Sequence, residues 1–160
     1  MTRMKIKGMM VLLFLILILS ACSTNDEGSR QESSSNGDLL EKTASAEVLP
    51  SFLKGQQKEI RMIYQAAGKS TELLQWIPCY CGCGESAGHK SNMNCFVKKI
   101  NQDGSVIWDD HGTRCGVCLQ IADESIKMKQ EGKSIKEIRH YIDEKYKEGY
   151  AKPTKTPMPL

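Results

Sequence analysis

Read by its apolar positions, the chain begins with an unbroken hydrophobic run from Met9 to Leu19, preceded by the basic residues Arg3, Lys5 and Lys7. The run is too short to span a bilayer, which takes about 20 residues, and residues 1–21 have the layout of an export signal. Residues 22–47 carry few apolar side chains and many Ser, Asn, Asp and Glu, the composition of a flexible linker. From Val48 the pattern changes. Ile60, Ile63, Tyr64 and Ala67 recur at helical spacing and predict a helix over 57–67, stopped by Gly68. Leu73, Leu74, Trp76 and Ile77 predict a second, short helix begun by Ser70 or Thr71 and ended by Pro78. Residues 95–100 and 105–108 predict two strands joined at Asp103-Gly104. A third helix opens at Cys115 and runs to about residue 131, with Ile121, Ser125 and Met128 on one side and Gly132 behind it. Ser134 and Glu137 make a capping-box pattern for a fourth helix, whose expected buried face is Ile135, Ile138, Tyr141, Ile142 and Tyr146. The tail after Gly149, with Pro153, Pro157 and Pro159, is expected to be extended or disordered. The fold expected is mainly α: a small helical domain over 48–150 with a minor β-hairpin and cysteine-rich loops, followed by a disordered tail over 151–160.

Charge narrows the function classes. The chain holds 22 basic and 19 acidic residues, a net charge of +3. Loss of the export segment removes three basic residues and leaves the two signs equal, so no electrostatic case exists for nucleic acid. No phosphate-cradling glycine loop and no nucleophile elbow is present.

The chemistry concentrates in Pro78-Cys79-Tyr80-Cys81-Gly82-Cys83-Gly84. In an extended backbone, side chains at every second position share a face, which would line up three thiols about 6–7 Å apart. A turn at Gly82 would draw them closer. Downstream lie further soft donors: His89, Cys95, His111, Cys115 and Cys118. Six cysteines and two histidines suffice for two tetrahedral sites or one shared thiolate cluster, and such donors select zinc or reduced copper. Met93 could add a thioether, while His140 lies in the fourth helix and reads as a surface residue. Cys115-x-x-Cys118 sits where a helix begins, so amide groups and the helix dipole favour its thiolates. That suits metal binding and disulfide exchange equally. The leading expectation is a copper- or zinc-binding protein for buffering, sensing or delivery, with Cys79, Cys81, Cys83, Cys95, Cys115, Cys118, His89 and His111 as ligands. The alternative is a thiol-disulfide oxidoreductase or thiol chaperone using Cys115 and Cys118; a third reading is a domain held by disulfides.

Three resemblances bear on these readings. Leu19-Ser20-Ala21-Cys22 resembles the bacterial lipobox. It implies cleavage before Cys22, lipid attachment there, and a protein held on the outer face of the cytoplasmic membrane, within reach of a membrane metalloenzyme. Pro78-Cys-Tyr-Cys-Gly-Cys83 resembles the signature of the PCYCGC-motif lipoproteins of Bacillus-type bacteria, and the likeness extends over residues 58–148 through Gly88-His89-Lys90-Ser91-Asn92, Cys95-Phe96-Val97, His111-Gly112 and Cys115-x-x-Cys118. Arg114-Cys115-x-x-Cys118 with Ala122-Asp123-Glu124-Ser125, Gly132-Lys133-Ser134 and Glu137-Ile138 is similar to thiol subunits of cytochrome c maturation, which implies an apo-cytochrome as partner.

Overall fold

The computed structural model describes residues 31–84 and 86–159. The expected export segment 1–21, the expected lipid-attachment residue Cys22 and the start of the expected linker lie outside the described residues. Four strands, β1 (Gln31–Ser33), β2 (Leu39–Thr43), β3 (Val97–Ile100) and β4 (Val106–Asp109), form an antiparallel sheet in the order β1-β2-β4-β3. Four helices accompany it: α1 (Lys58–Lys69), α2 (Thr71–Leu74), α3 (Gly116–Gln130) and α4 (Ile135–Tyr146). The protein is therefore a mixed α and β fold, not a mainly α domain with a minor hairpin. The expected hairpin is present as β3 and β4, with the turn at Gly104, but it is only half of the sheet.

The other half comes from the stretch expected to be linker. β2 pairs with β4 through Leu40–Asp109, Glu41–Trp108, Lys42–Ile107 and Thr43–Val106. Its two inward positions are the polar Glu41 and Thr43, so the alternation that marks a half-buried strand is invisible to a hydropathy reading. Both polar groups are satisfied inside. Thr43 accepts a hydrogen bond from the Trp108 indole at 2.8 Å. Glu41 accepts from the Ser51 backbone amide and hydroxyl at 2.5 and 2.9 Å, which fixes the single 3-10 turn Ser51–Leu53.

Trp108, Tyr64, Phe96, Leu74, Ile121 and Ile138 are among the fully buried side chains that join sheet and helices in one core. Gly68 lies inside α1 rather than ending it: a Cβ there would stand 2.4 Å from the Trp108 ring, so glycine is needed for close packing of helix on sheet. The capping box at Ser134 and Glu137 forms in both directions. Along α4, Ile138, Ile142 and Tyr146 are buried, but Tyr141 is exposed. No helix among the described residues is long and apolar enough to cross a membrane.

The tail has no regular structure, but it is pinned rather than disordered. Thr154 donates its amide to the Cys79 carbonyl at 3.0 Å and accepts from the Cys79 amide at 2.9 Å. Arg139 on α4, held by Asp143, donates to the carbonyls of Trp76, Thr156 and Pro157. These bonds lay the tail along the cysteine loop.

Candidate metal centre

The cysteine loop follows α2 and does not continue as a strand. Gly82 adopts φ +82°, the left-handed region that glycine enters without strain, and the chain turns there. Ahead of that turn, Cys79 Sγ and Cys81 Sγ lie 3.0 Å apart, about half the spacing expected of an extended segment. Tyr80 points the other way. It is buried on α4, stacks near Tyr146 and donates its hydroxyl to Asp143 at 2.7 Å. The alternation of the motif thus works as an anchor between two inward thiols.

Other elements deliver the remaining donors. Cys95 ends a 3-10 turn, Asn92–Cys95, whose Asn92 amide donates to the Ile77 carbonyl and whose Asn92 side chain donates to the Cys118 carbonyl. Cys115 is the N-cap of α3 and Cys118 lies in its first turn. His111 sits on the 3-10 turn Asp110–Arg114 that links β4 to α3; its backbone amide is capped by Asp109 at 2.9 Å.

Two groups of donors result, each with ligand atoms within 4.8 Å of one another: Cys81, His111, Cys115 and Cys118, and Cys79, Cys95 and Cys118. Cys118 belongs to both. Cys79 Sγ is 3.5 Å from Cys118 Sγ and 3.6 Å from Cys95 Sγ. All six described cysteines are free thiols, and these separations far exceed a disulfide bond of about 2.05 Å. They approach the roughly 3.8 Å between sulfurs of a tetrahedral zinc site with Zn–S bonds of about 2.3 Å. The arrangement can hold a metal ion.

The histidines are set up in the manner of metal ligands. His111 Nδ1 lies 3.3 Å from both carboxylate oxygens of Asp38, while its Nε2 is buried and has no hydrogen-bond partner. Nε2 is the nitrogen left for the thiol group, and a carboxylate behind the other nitrogen fixes a ligand imidazole. Asp38 stands in the β1–β2 turn, is itself buried, and also pairs with Arg114 at 2.5 Å. It is a functional residue that the sequence reading missed, because its segment reads as linker. His89 has a wholly buried side chain; its Nδ1 is 3.6 Å from Cys95 Sγ, and its unpartnered Nε2 is 3.9 Å from Asp109 Oδ2. The two imidazoles touch edge to face at 4.7 Å.

Of the expected ligands, Cys83 and His89 fall outside both cysteine groups, and His89 groups instead with Asp38 and His111. Cys83 lies at the rim. It is half-exposed, and its thiol approaches the Cys81 carbonyl at 3.8 Å. Met93 packs against the core, and His140 is exposed on α4.

Charge is shared unevenly among the sulfurs. Hydrogen bonds from Cys118, then from Cys81, draw Cys79 far below the ordinary thiol range, and Cys115 followed by Cys118 do the same to Cys81. Cys118 is pushed far up because Cys115, Cys79, Cys81 and Cys95 all compete for its proton. Burial raises Cys95, and burial followed by Cys81 raises Cys83. So many adjacent thiols cannot all ionise without a cation among them. His111 supplies one positive charge in the metal-free protein: Cys115 and then Cys81, with Asp38 behind, push its pKa up to about 11.

The chain matches the family model described as "Protein of unknown function with PCYCGC motif" over residues 11–159 and belongs to that family. No curated protein and no solved structure matches it. The resemblance of the C-terminal part to thiol subunits of cytochrome c maturation therefore finds no support.

Proposed function

We propose that this member of the PCYCGC-motif family is a lipid-anchored, extracytoplasmic carrier or buffer of a thiophilic metal ion, copper or zinc. The observation that carries the reading is the convergence of Cys81, His111, Cys115 and Cys118 within 4.8 Å, with a buried, unpartnered imidazole nitrogen among them. A buried polar atom without a partner is unfavourable by about 1–3 kcal/mol, and a bound cation removes that deficit. In this account His111 and Cys118 release their protons when the ion binds, and Asp38 keeps the imidazole oriented. Cys81 and Cys115 are half-exposed, so the ion can be passed to an incoming thiol ligand by stepwise replacement. Cys83, at the rim, is the natural first or last contact. The anchor rests on the signal pattern and Cys22, and it would place the site near membrane metalloenzymes, our proposed recipients.

A second reading draws on the same end of α3. Cys115 is half-exposed and Cys118 buried at a helix N-terminus, an arrangement that suits thiol-disulfide exchange. One preparation separates the two. The full chain, purified reduced and without oxygen in mild detergent, is expected to hold zinc or copper at micromolar concentration, with the ligand thiols, all but Cys83, reacting only after chelation. Freely reactive thiols and no metal would overturn the metal reading. A mixed disulfide trapped by Cys118→Ser would then support exchange.

A further inference from the structure

We infer that the cluster holds two ions rather than one, the second bound by Cys79, Cys95 and Cys118, with Cys118 bridging the pair. The inference rests on the metal reading above and deepens it.

Three observations carry it. Cys79, Cys95 and Cys118 form a complete three-sulfur group of their own, with ligand atoms within 4.8 Å. Their relative exposures are 1%, 0% and 0%, so water cannot satisfy or stabilise charge on these sulfurs. Cys118 is the one donor common to this group and the outer one, and a thiolate sulfur has lone pairs enough to bind two metal ions. His89 stands beside this group, although it also lies within 4.8 Å of Asp38 and His111. Its imidazole is wholly buried, its Nδ1 lies 3.6 Å from Cys95 Sγ, and its unpartnered Nε2 is 3.9 Å from Asp109 Oδ2. This repeats at the inner position the carboxylate–imidazole pairing that Asp38 and His111 make at the outer one.

Charge permits the pair as well. Two divalent ions among the five thiolates leave a single net negative charge next to the core. That remainder faces the N-terminus of α3, the positive end of the helix dipole. Binding is a proton exchange: each thiol that ligates releases its proton to solvent, and no electron is transferred. Zinc, or cobalt(II) as its spectroscopic substitute, fits both positions.

The test is a titration of the reduced, metal-free full chain with cobalt(II) under argon, followed by thiolate-to-cobalt absorption and electron paramagnetic resonance, with bound metal counted per chain. Absorption is expected to saturate at two ions per chain. The resonance signal should grow over the first equivalent and fall over the second, as the shared sulfur couples the two spins. Saturation at one ion overturns the inference and leaves the single-ion reading intact; no binding at all overturns both. Two ions without spin coupling would overturn the bridge. Cys95→Ser is expected to bind one ion with an uncoupled signal, and retention of two coupled ions by this variant would also overturn the inference. Should that variant fail to fold by circular dichroism, the stoichiometry and coupling of the unaltered chain decide alone.

Discussion

The two halves of the cysteine cluster share one sulfur and touch at Cys79–Cys81 and at the two imidazoles, yet they differ in burial. The outer half, Cys81, Cys115 and His111 with Cys83 beside it, lies on loops and at a helix start and is partly open to solvent. The inner half, Cys79, Cys95 and Cys118, is shut inside the core with His89. Identical side chains are thus given different tasks by burial alone. An exposed ligand can be replaced by an incoming one, so an outer ion can leave. On the two-ion proposal, an inner ion would leave only if the packing of α3 on the 3-10 turn at Cys95 opened, which would make it part of the fold. Metal binding by the native state alone stabilises by RT ln(1 + [L]/Kd), about 2.7 kcal/mol at a hundredfold excess over Kd.

The largest expected effect is at the shared sulfur. Cys118→Ser should weaken binding at both positions by more than about 1,000-fold, beyond the 10–100-fold typical of partners that only orient a ligand. Competition with a chromophoric chelator measures it; retention of one tight ion would show that Cys118 is not common to both. Asp38→Asn should sharpen the contrast. It removes the carboxylate that pairs with His111 Nδ1 and leaves Asp109 opposite His89, so the outer ion should bind about 10–100-fold more weakly and the inner one should lose less, Asp38 lying within 4.8 Å of the His89 ligand nitrogen as well. Equal weakening of both would erase the distinction.

Acidity probes the same contrast. His111 is raised from its ordinary 6.5 to about 11 in the metal-free protein, so it carries a proton that the outer ion must displace. Outer-site affinity should therefore rise with pH through neutrality, by at least about tenfold per pH unit for this one proton. Without metal the sign is opposite. The stability that charged His111 adds is complete below pH 6.5 and is lost as pH rises through about 11. Metal titrations between pH 6 and 9 and urea melts between pH 6 and 11 test the two halves of this statement. The smallest effect is expected at Cys83. Cys83→Ser should leave both affinities within about threefold, yet slow the transfer of the outer ion to an added chelator, a rate effect seen by stopped flow. Unchanged transfer would remove Cys83 from the exit path.

Several elements were legible in the sequence because their signals are local. The capping box at Ser134 needs only the residues to Glu137. The β3–β4 hairpin is announced by the Asp103-Gly104 turn, where Gly104 has φ +83°. The alternating cysteines, Cys115-x-x-Cys118 and the two histidines were all visible as donors. Tyr141 was misplaced because it lies at the edge of the apolar stripe of α4 and stays exposed, while Ile138, Ile142 and Tyr146 are buried. The β1–β2 pair was missed for a different reason. Its buried positions are polar, and what satisfies them, Trp108 and Ser51, lies elsewhere in the chain.

By itself, the sequence determined the donor inventory, the family and the helices around the cysteines, since each depends on residue identity or short-range spacing. Only the tertiary structure decided which sulfurs are inner and which outer, that Cys118 is shared, and that Asp38 stands behind His111 across 73 residues of chain. Those facts follow from long-range packing: the pairing of β2 with β4 brings Asp38 to His111, and the tail bonds at Cys79 hold the cysteine loop against α3. Burial, which separates one thiol from the next, is a property of the whole assembled core and of no single segment.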